Sequence, residues 1–269
     1  MTNVWAIAAI TFLDGFRNRI YFALVVIALL LFSSTYSLSY LFPYDVVKVA
    51  IDLALAVTSL VGLILSLFFG AQLVAKDIER RTIHMLLTKA VSRSEYIVGK
   101  FAGLVAMIVT TMTMLGALAS LAVGSVTWVT SDRYGVVDWP LFLLSLSMMT
   151  LMFLVLASVM VLVSAFASNS FLALGLTLVV YLIGQSVEEL KYFLESGADG
   201  VTVAPIVLMT VKFAYYMFPN LAAFDFKTQA AHALAIQPIT VVWPIVSGLI
   251  YMAVMLMAAS WIFRSREFP

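Results

Sequence analysis

Charge-free apolar runs alternate with short charged stretches along the whole chain. Residues 20–44, 53–75, 101–131, 139–187 and 228–263 contain no Asp, Glu, Lys or Arg. A helix needs about 20 apolar residues to cross a hydrocarbon core ~30 Å thick, so each of the first three runs supplies one span. The run 139–187 has 49 residues, enough for two spans, and Ser168-Asn169-Ser170 at its middle reads as a tight turn. The last run supplies a span from near Thr240, after Pro238. The pattern therefore predicts an all-α polytopic fold with about six transmembrane helices in a single domain over 1–269. Between Lys191 and Pro238 lie two shorter apolar pieces, 200–211 and 213–224, in a segment interrupted by Pro205 and Pro219. As helices each would reach only ~18 Å, so 191–238 reads as an external loop with short interfacial or re-entrant helices. Residues 1–18 read as an interfacial helix, with Asn3, Thr11, Asp14 and Asn18 on one face and Trp5, Ile7 and Phe16 elsewhere on its circumference, or alternatively as a frayed extension of the first span.

Composition supports lipid as the solvent. The chain is 64% hydrophobic and 11% charged, whereas soluble domains carry about 25% charge. The net charge of +1 leaves no basic surplus to neutralise phosphates, which excludes a general nucleic-acid binder. The absence of Cys excludes disulfides, thiolate metal sites and Cys nucleophiles. The two His residues, His84 and His232, are too few for a multi-His cage. The first basic residue is Arg17, and the apolar run behind it is longer than a signal h-region, so that run is expected to stay in the membrane.

Lys and Arg set the expected orientation. With six spans both termini share one side. That side holds ten basic residues (Arg17, Arg19, Lys76, Arg80, Arg81, Lys89, Arg93, Lys100, Arg264 and Arg266) against five on the other. Both termini are expected to be cytoplasmic.

The densest charge lies in Lys76–Lys100, which holds six of the fifteen basic residues. One Arg or Lys at a bilayer centre costs ~2.5–3.5 kcal/mol, so six would cost on the order of 15 kcal/mol. The stretch must therefore lie outside the lipid. Ile78, Ile83, Leu86, Leu87, Val91, Ile97 and Val98 interleave with its charges. On the residues alone this is either an inter-helix loop or a docking element. Ser92 followed three residues later by Glu95 has the spacing of a capping box for a helix starting at Arg93. Gly99 would allow close packing where the third span begins.

Here the sequence resembles the type-2 class of ABC exporter permeases, which includes sodium, drug, polysaccharide and copper-maturation exporters. Glu79, Thr82, Leu86, Leu87, Val91, Ser92, Arg93, Ile97, Val98, Gly99 and Lys100 match the pattern that joins the second and third spans of that class. Arg81 stands where Gly is usual, and Ala90 where Pro is usual. Asp14-Gly15-Phe16-Arg17-Asn18-Arg19 is also similar to the N-terminal helix of copper-maturation permeases. The resemblance implies that 76–98 is a cytoplasmic coupling segment. Asp77, Glu79, Arg80, Arg81, Thr82, Leu86, Leu87, Ser92 and Arg93 would face a separate ABC ATPase subunit. It further implies two ATPase copies holding ATP and Mg, a second permease copy forming a homodimer, and residence in the inner membrane of a prokaryote. This chain itself has no Gly-rich phosphate loop: Gly99-Lys100-Phe101 lacks the upstream Gly spacing and the hydroxyl. No catalytic residue, cofactor or metal site is assigned to it.

Two rival readings make different demands. An intramembrane enzyme would need a Gly-x-Ser-Gly with a partner His, an HExxH, or paired Asp within spans, and none occurs. A passive membrane anchor has no use for a patterned segment at 76–98. Among smaller signals, Asp52 reads as an interfacial partner of Lys48, four residues earlier, with a pathway contact as the alternative. Gln72 and Gln185 read as inter-helix hydrogen-bonding groups or pathway contacts. Glu188, Glu189 and Lys191 read as the outer end of the fifth span. The fourteen Met residues read as apolar filler rather than copper ligands. Tyr215-Tyr216 and Phe218-Pro219-Asn220 read as an interfacial aromatic belt, or a lid over an exit pathway.

Overall fold

A computed structural model describes residues 2–42, 44–73, 92–130, 136–167, 169–195 and 205–265. Among these residues every regular element is helical. In chain order they are α1 (Thr2–Phe16), α2 (Arg19–Ser39), α3 (Val46–Leu73), α4 (Arg93–Thr130), α5 (Trp139–Phe166), α6 (Ser170–Glu195), α7 (Pro205–Met217), a 3-10 turn (Ala222–Phe224), α8 (Lys227–His232) and α9 (Pro238–Ser265). Six of them, α2 to α6 and α9, are long and apolar enough to cross a membrane.

Helix ends follow local chemistry. Asp138 caps α5 by accepting from the Leu141 amide at 3.1 Å, with Pro140 in the first turn where no intrahelical donor is needed. Asn169 caps α6 through the Leu172 amide at 2.7 Å. The expected turn between these spans thus falls at Asn169. Other helices run further than the charge pattern suggests. The third span begins at Arg93 rather than Phe101 and lasts 38 residues, roughly 57 Å at 1.5 Å per residue. The fifth span continues past Glu188, Glu189 and Lys191 to Glu195. Lys212 does not divide its segment, because α7 runs unbroken across it.

The core is built from α3, α4 and α5, which pack on one another, with α2, α6 and α9 outside them. α5 is the most enclosed, 72% of its apolar window being buried against 17% for α9. Leu55, Leu104, Leu115, Phe142 and Phe153 are fully buried among these helices. α3 approaches closely where it lacks side chains: a Cβ at Gly62 would meet Phe153 at 2.6 Å, and one at Gly70 would meet Met160 at 2.5 Å. Such small-residue contacts let backbones approach and gain dispersion where lipid offers no hydrophobic drive. Several buried hydroxyls are satisfied along their own helices, although those of Thr11, Ser145 and Ser164 find no partner. Thr58 donates to the Ala54 carbonyl at 2.8 Å and Thr111 to the Met107 carbonyl at 2.8 Å. This is how a hydroxyl is accommodated where no water is available.

α1 packs along the first half of α4. Ala8, Thr11 and Gly15 face α4, and Trp5, Ile10 and Leu13 face outward. Thr11 is only 2% exposed, so the expected polar face does not stay together: Thr11 turns inward while Asp14 is exposed. The reason lies on the partner helix. Gly103 leaves room for Thr11, whose Cβ lies 2.6 Å from where a Cβ at Gly103 would stand.

Candidate functional site

Asp77, Glu79, Arg80, Arg81, Thr82, Leu86 and Leu87 lie outside the described residues. Ser92 and Arg93, which close the same segment, are described. The Glu95 amide donates to Ser92 Oγ at 3.2 Å, and the Ser92 amide donates to Glu95 Oε2 at 2.9 Å. This reciprocal pair is a capping box. Ser92 Oγ also donates to Glu95 Oε2 at 2.9 Å. The helix is thereby fixed from its first residue.

The start of α4 is a junction of three helices. On one side, a Cβ at Gly99 would meet Ile7 Cβ at 2.9 Å and the Val4 carbonyl oxygen at 3.1 Å, and one at Gly103 would meet the Ala8 carbonyl oxygen at 2.7 Å. The two glycines, one turn apart, seat α1. On the other side, Tyr96 stacks on Phe263 of α9 with ring centres 5.7 Å apart and planes 16° apart. Both rings are buried, at 2% and 0% exposure. Arg93 Nη1 donates to the Phe263 carbonyl at 3.4 Å. That carbonyl belongs to the last turn of α9, where a cation complements the negative end of the helix dipole. Lys100 Nζ lies 5.7 Å from the Tyr96 ring centre. Gly99 is thus buried in a helix seam and cannot cradle a phosphate.

The polar span residues occupy a different region. Gln185 Nε2 donates to Met152 Sδ at 3.3 Å, an inter-helix contact from α6 to α5. Gln72 lies in the last turn of α3. Asp52 is exposed on the flank of α3. The expected Lys48–Asp52 pair is replaced: Lys48 Nζ binds Asp45 Oδ1 at 2.8 Å. Asp45, just before α3, offers a carboxylate one turn N-terminal to Lys48, the favoured order of acid before base on a helix.

Sequence reasoning missed how the segment 205–237 is anchored. The Leu221 amide donates to the Gly184 carbonyl at 3.0 Å, and a Cβ at Gly184 would meet the Pro219 oxygen at 2.6 Å. Asn220 Nδ2 donates to Glu188 Oε2 at 2.8 Å. Lys227 pairs with Asp225 at 3.0 Å, and α8 packs on α3 and α5. This hairpin of short helices is therefore clipped to α6 and laid against the core. The only local signal was Asp225-x-Lys227; the Gly184 contact joins residues too far apart in sequence for any periodicity to reveal.

No curated protein sequence matches the chain. The model of a family described as ABC-2 family transporter protein matches residues 5–268. With nearly its whole length matched, and with six helices fit to cross a membrane, the chain belongs to the ABC-2 transporter family as a membrane-spanning permease component.

Proposed function

We propose that this permease component works with a separate ABC ATPase to export a substrate across the inner membrane of a prokaryote. Two copies of this chain pair with two ATPase copies, which hold the ATP and Mg. Both termini and residues 76–98 are cytoplasmic, and 76–98 docks on the ATPase. The observation that carries this reading is the junction at the start of α4. The capping box fixes the start of α4 within the cation-rich stretch Lys76–Lys100. α1 and α9 are fastened to α4 within its first three turns. A push on 76–91 is therefore delivered to three helices together, as a coupling element requires and a passive anchor does not. Charged groups interleaved with Leu86 and Leu87 suit a cleft that fixes register by charge and excludes water around apolar anchors. ATP chemistry is assigned to the partner because Gly99 is buried against α1 and no other Gly-Lys step occurs in the chain.

Co-expression with an ABC ATPase followed by native mass measurement tests the assembly. The expected species contains two copies of each subunit, and the chain alone shows no ATP hydrolysis. A purified single chain that turns over ATP would contradict the proposal.

A further inference from the structure

Asp14-Gly15-Phe16-Arg17-Asn18-Arg19 forms the break between α1 and α2. The Asn18 amide donates to the Gly15 carbonyl at 3.1 Å and closes α1, while the Asn18 carbonyl accepts from the Tyr21 amide at 3.0 Å and opens α2. The break is fastened to the bundle from within. Phe12, Phe16 and Tyr21 form a ladder of tilted rings with centres 4.9 Å and 4.7 Å apart. Tyr21 is buried, and its ring centre lies 6.1 Å from that of Phe69 on α3. Gly15 is seated against Met107 of α4. Arg17 and Arg19 are therefore carried by a fixed elbow rather than a loose linker.

On its outer side the elbow is a charged band between two apolar surfaces. Trp5, Ile10 and Leu13 are exposed on α1, and Phe22, Val26 and Leu30 on α2. Arg19 precedes Phe22 by three residues, Val26 by seven and Leu30 by eleven, so all four share one face of α2. That face extends ~16 Å from the cation. Asp14, Arg17 and Arg19 are all exposed. Among the described residues neither guanidinium has a hydrogen-bond or ion-pair partner, and Asp14 does not close on Arg17. Two Arg and one Asp still leave the band at +1. Arg19 also opens α2, whose first turn holds no acid. A cation at the positive end of a helix dipole is unfavourable, and a guanidinium bordered by lipid without a counter-charge is costly. One anion bound at the elbow relieves both.

We propose that the elbow binds the phosphate of a net-anionic phospholipid. The phosphate accepts from Arg17 and Arg19, and an acyl chain lies along Phe22, Val26 and Leu30. A phosphodiester carries one negative charge, which matches the band, and its paired oxygens suit the guanidinium fork. A zwitterionic headgroup would add an ammonium to a band that is already positive. The site uses no ATPase contact, so it stands or falls separately from the export reading.

Native mass measurement tests this on the full chain, delipidated in a neutral detergent and titrated with phosphatidylglycerol or phosphatidylcholine. One tightly bound phosphatidylglycerol per chain is expected, at least tenfold tighter than phosphatidylcholine, in monomer and dimer alike. A basic side chain beside an anionic headgroup contributes about fivefold, so Arg17→Gln and Arg19→Gln should each weaken binding about fivefold and together roughly twentyfold. Asp14→Asn removes the acid from the band and should tighten binding. Lys212→Gln removes an exposed cation on α7 and should change nothing. Inorganic phosphate, which has no chain, should not displace the lipid. Thermal unfolding checks that the variants are folded, and Asp14→Asn decides the matter if the arginine variants are not. Equal binding of the two lipids, wild-type affinity in the double arginine variant, no gain in Asp14→Asn, or an equal loss in Lys212→Gln overturns the proposal. Displacement by inorganic phosphate would make this a free-anion site, and binding confined to the monomer would give the face to a second copy; either result overturns it too.

Discussion

Replacing Gly103 by Val strikes the seam between α1 and α4 directly. A Cβ at this position would stand 2.6 Å from Thr11 Cβ and 2.7 Å from the Ala8 carbonyl oxygen. Ordinary carbon contacts begin near 3.5 Å, so the methine carbon alone asks for several tenths of an ångström, and the two methyl groups ask for more. The Ala8 oxygen is backbone and cannot swing aside, so α1 must shift as a body. Overpacking of this kind costs ~1–3 kcal/mol. Losing a helical Gly returns only a few tenths of a kcal/mol through propensity, so the net effect is destabilising. Gly175 in α6 supplies the control, because a Cβ there would meet nothing within 4 Å. Thermal unfolding in detergent, followed by intrinsic fluorescence, should show a clear fall in Tm for Gly103→Val and none for Gly175→Val. Limited proteolysis should release the N-terminal segment faster in the first variant. Equal unfolding and proteolysis in the two would refute the close seating of α1 on α4.

Gly184→Val should undock the hairpin, since its Cβ would meet the Pro219 oxygen at 2.6 Å and Leu221 Cγ at 2.9 Å; faster proteolysis between α7 and α9, at a cost of ~1–3 kcal/mol, is the expected reading, and wild-type resistance would contradict the anchoring. Orientation is testable without interference, because the chain has no Cys. In intact cells a membrane-impermeant thiol reagent should label Ser131→Cys and not Ser94→Cys, and the reverse pattern would invert the assigned topology.

The spans were legible because a charge-free run of about 20 residues leaves the backbone few alternatives in lipid. The start of α4 was legible because Ser92 and Glu95 form a local reciprocal motif. The end of α6 was not. Charges at 93–100 and 188–191 mark where a helix leaves the apolar region, but they do not end its hydrogen-bond ladder. Thr11 was placed with the polar face because helical period describes one helix, and the vacancy at Gly103 belongs to another. The Gly184–Leu221 clip and the stacking of Tyr96 on Phe263 join distant parts of the chain, so no pattern along the sequence announces them. Asp52 was paired with Lys48 on spacing alone, and the competing acid, Asp45, sits one turn closer to the helix start. The family pattern supplied the proposed role of residues 76–91, which lie outside the described residues.

That role rests on contact between 76–98 and a partner ATPase, and charge reversal at Arg81 tests it most directly. Truncating one member of a buried charged pair costs ~2–5 kcal/mol, so Arg81→Glu should lower the yield of the complex, or its ATP hydrolysis, at least tenfold. Arg133→Glu, assigned to the opposite side, should change neither, and both variants should insert normally because neither position falls in a charge-free run long enough to span. An Arg81→Glu chain that assembles and supports hydrolysis like wild type would contradict the coupling assignment.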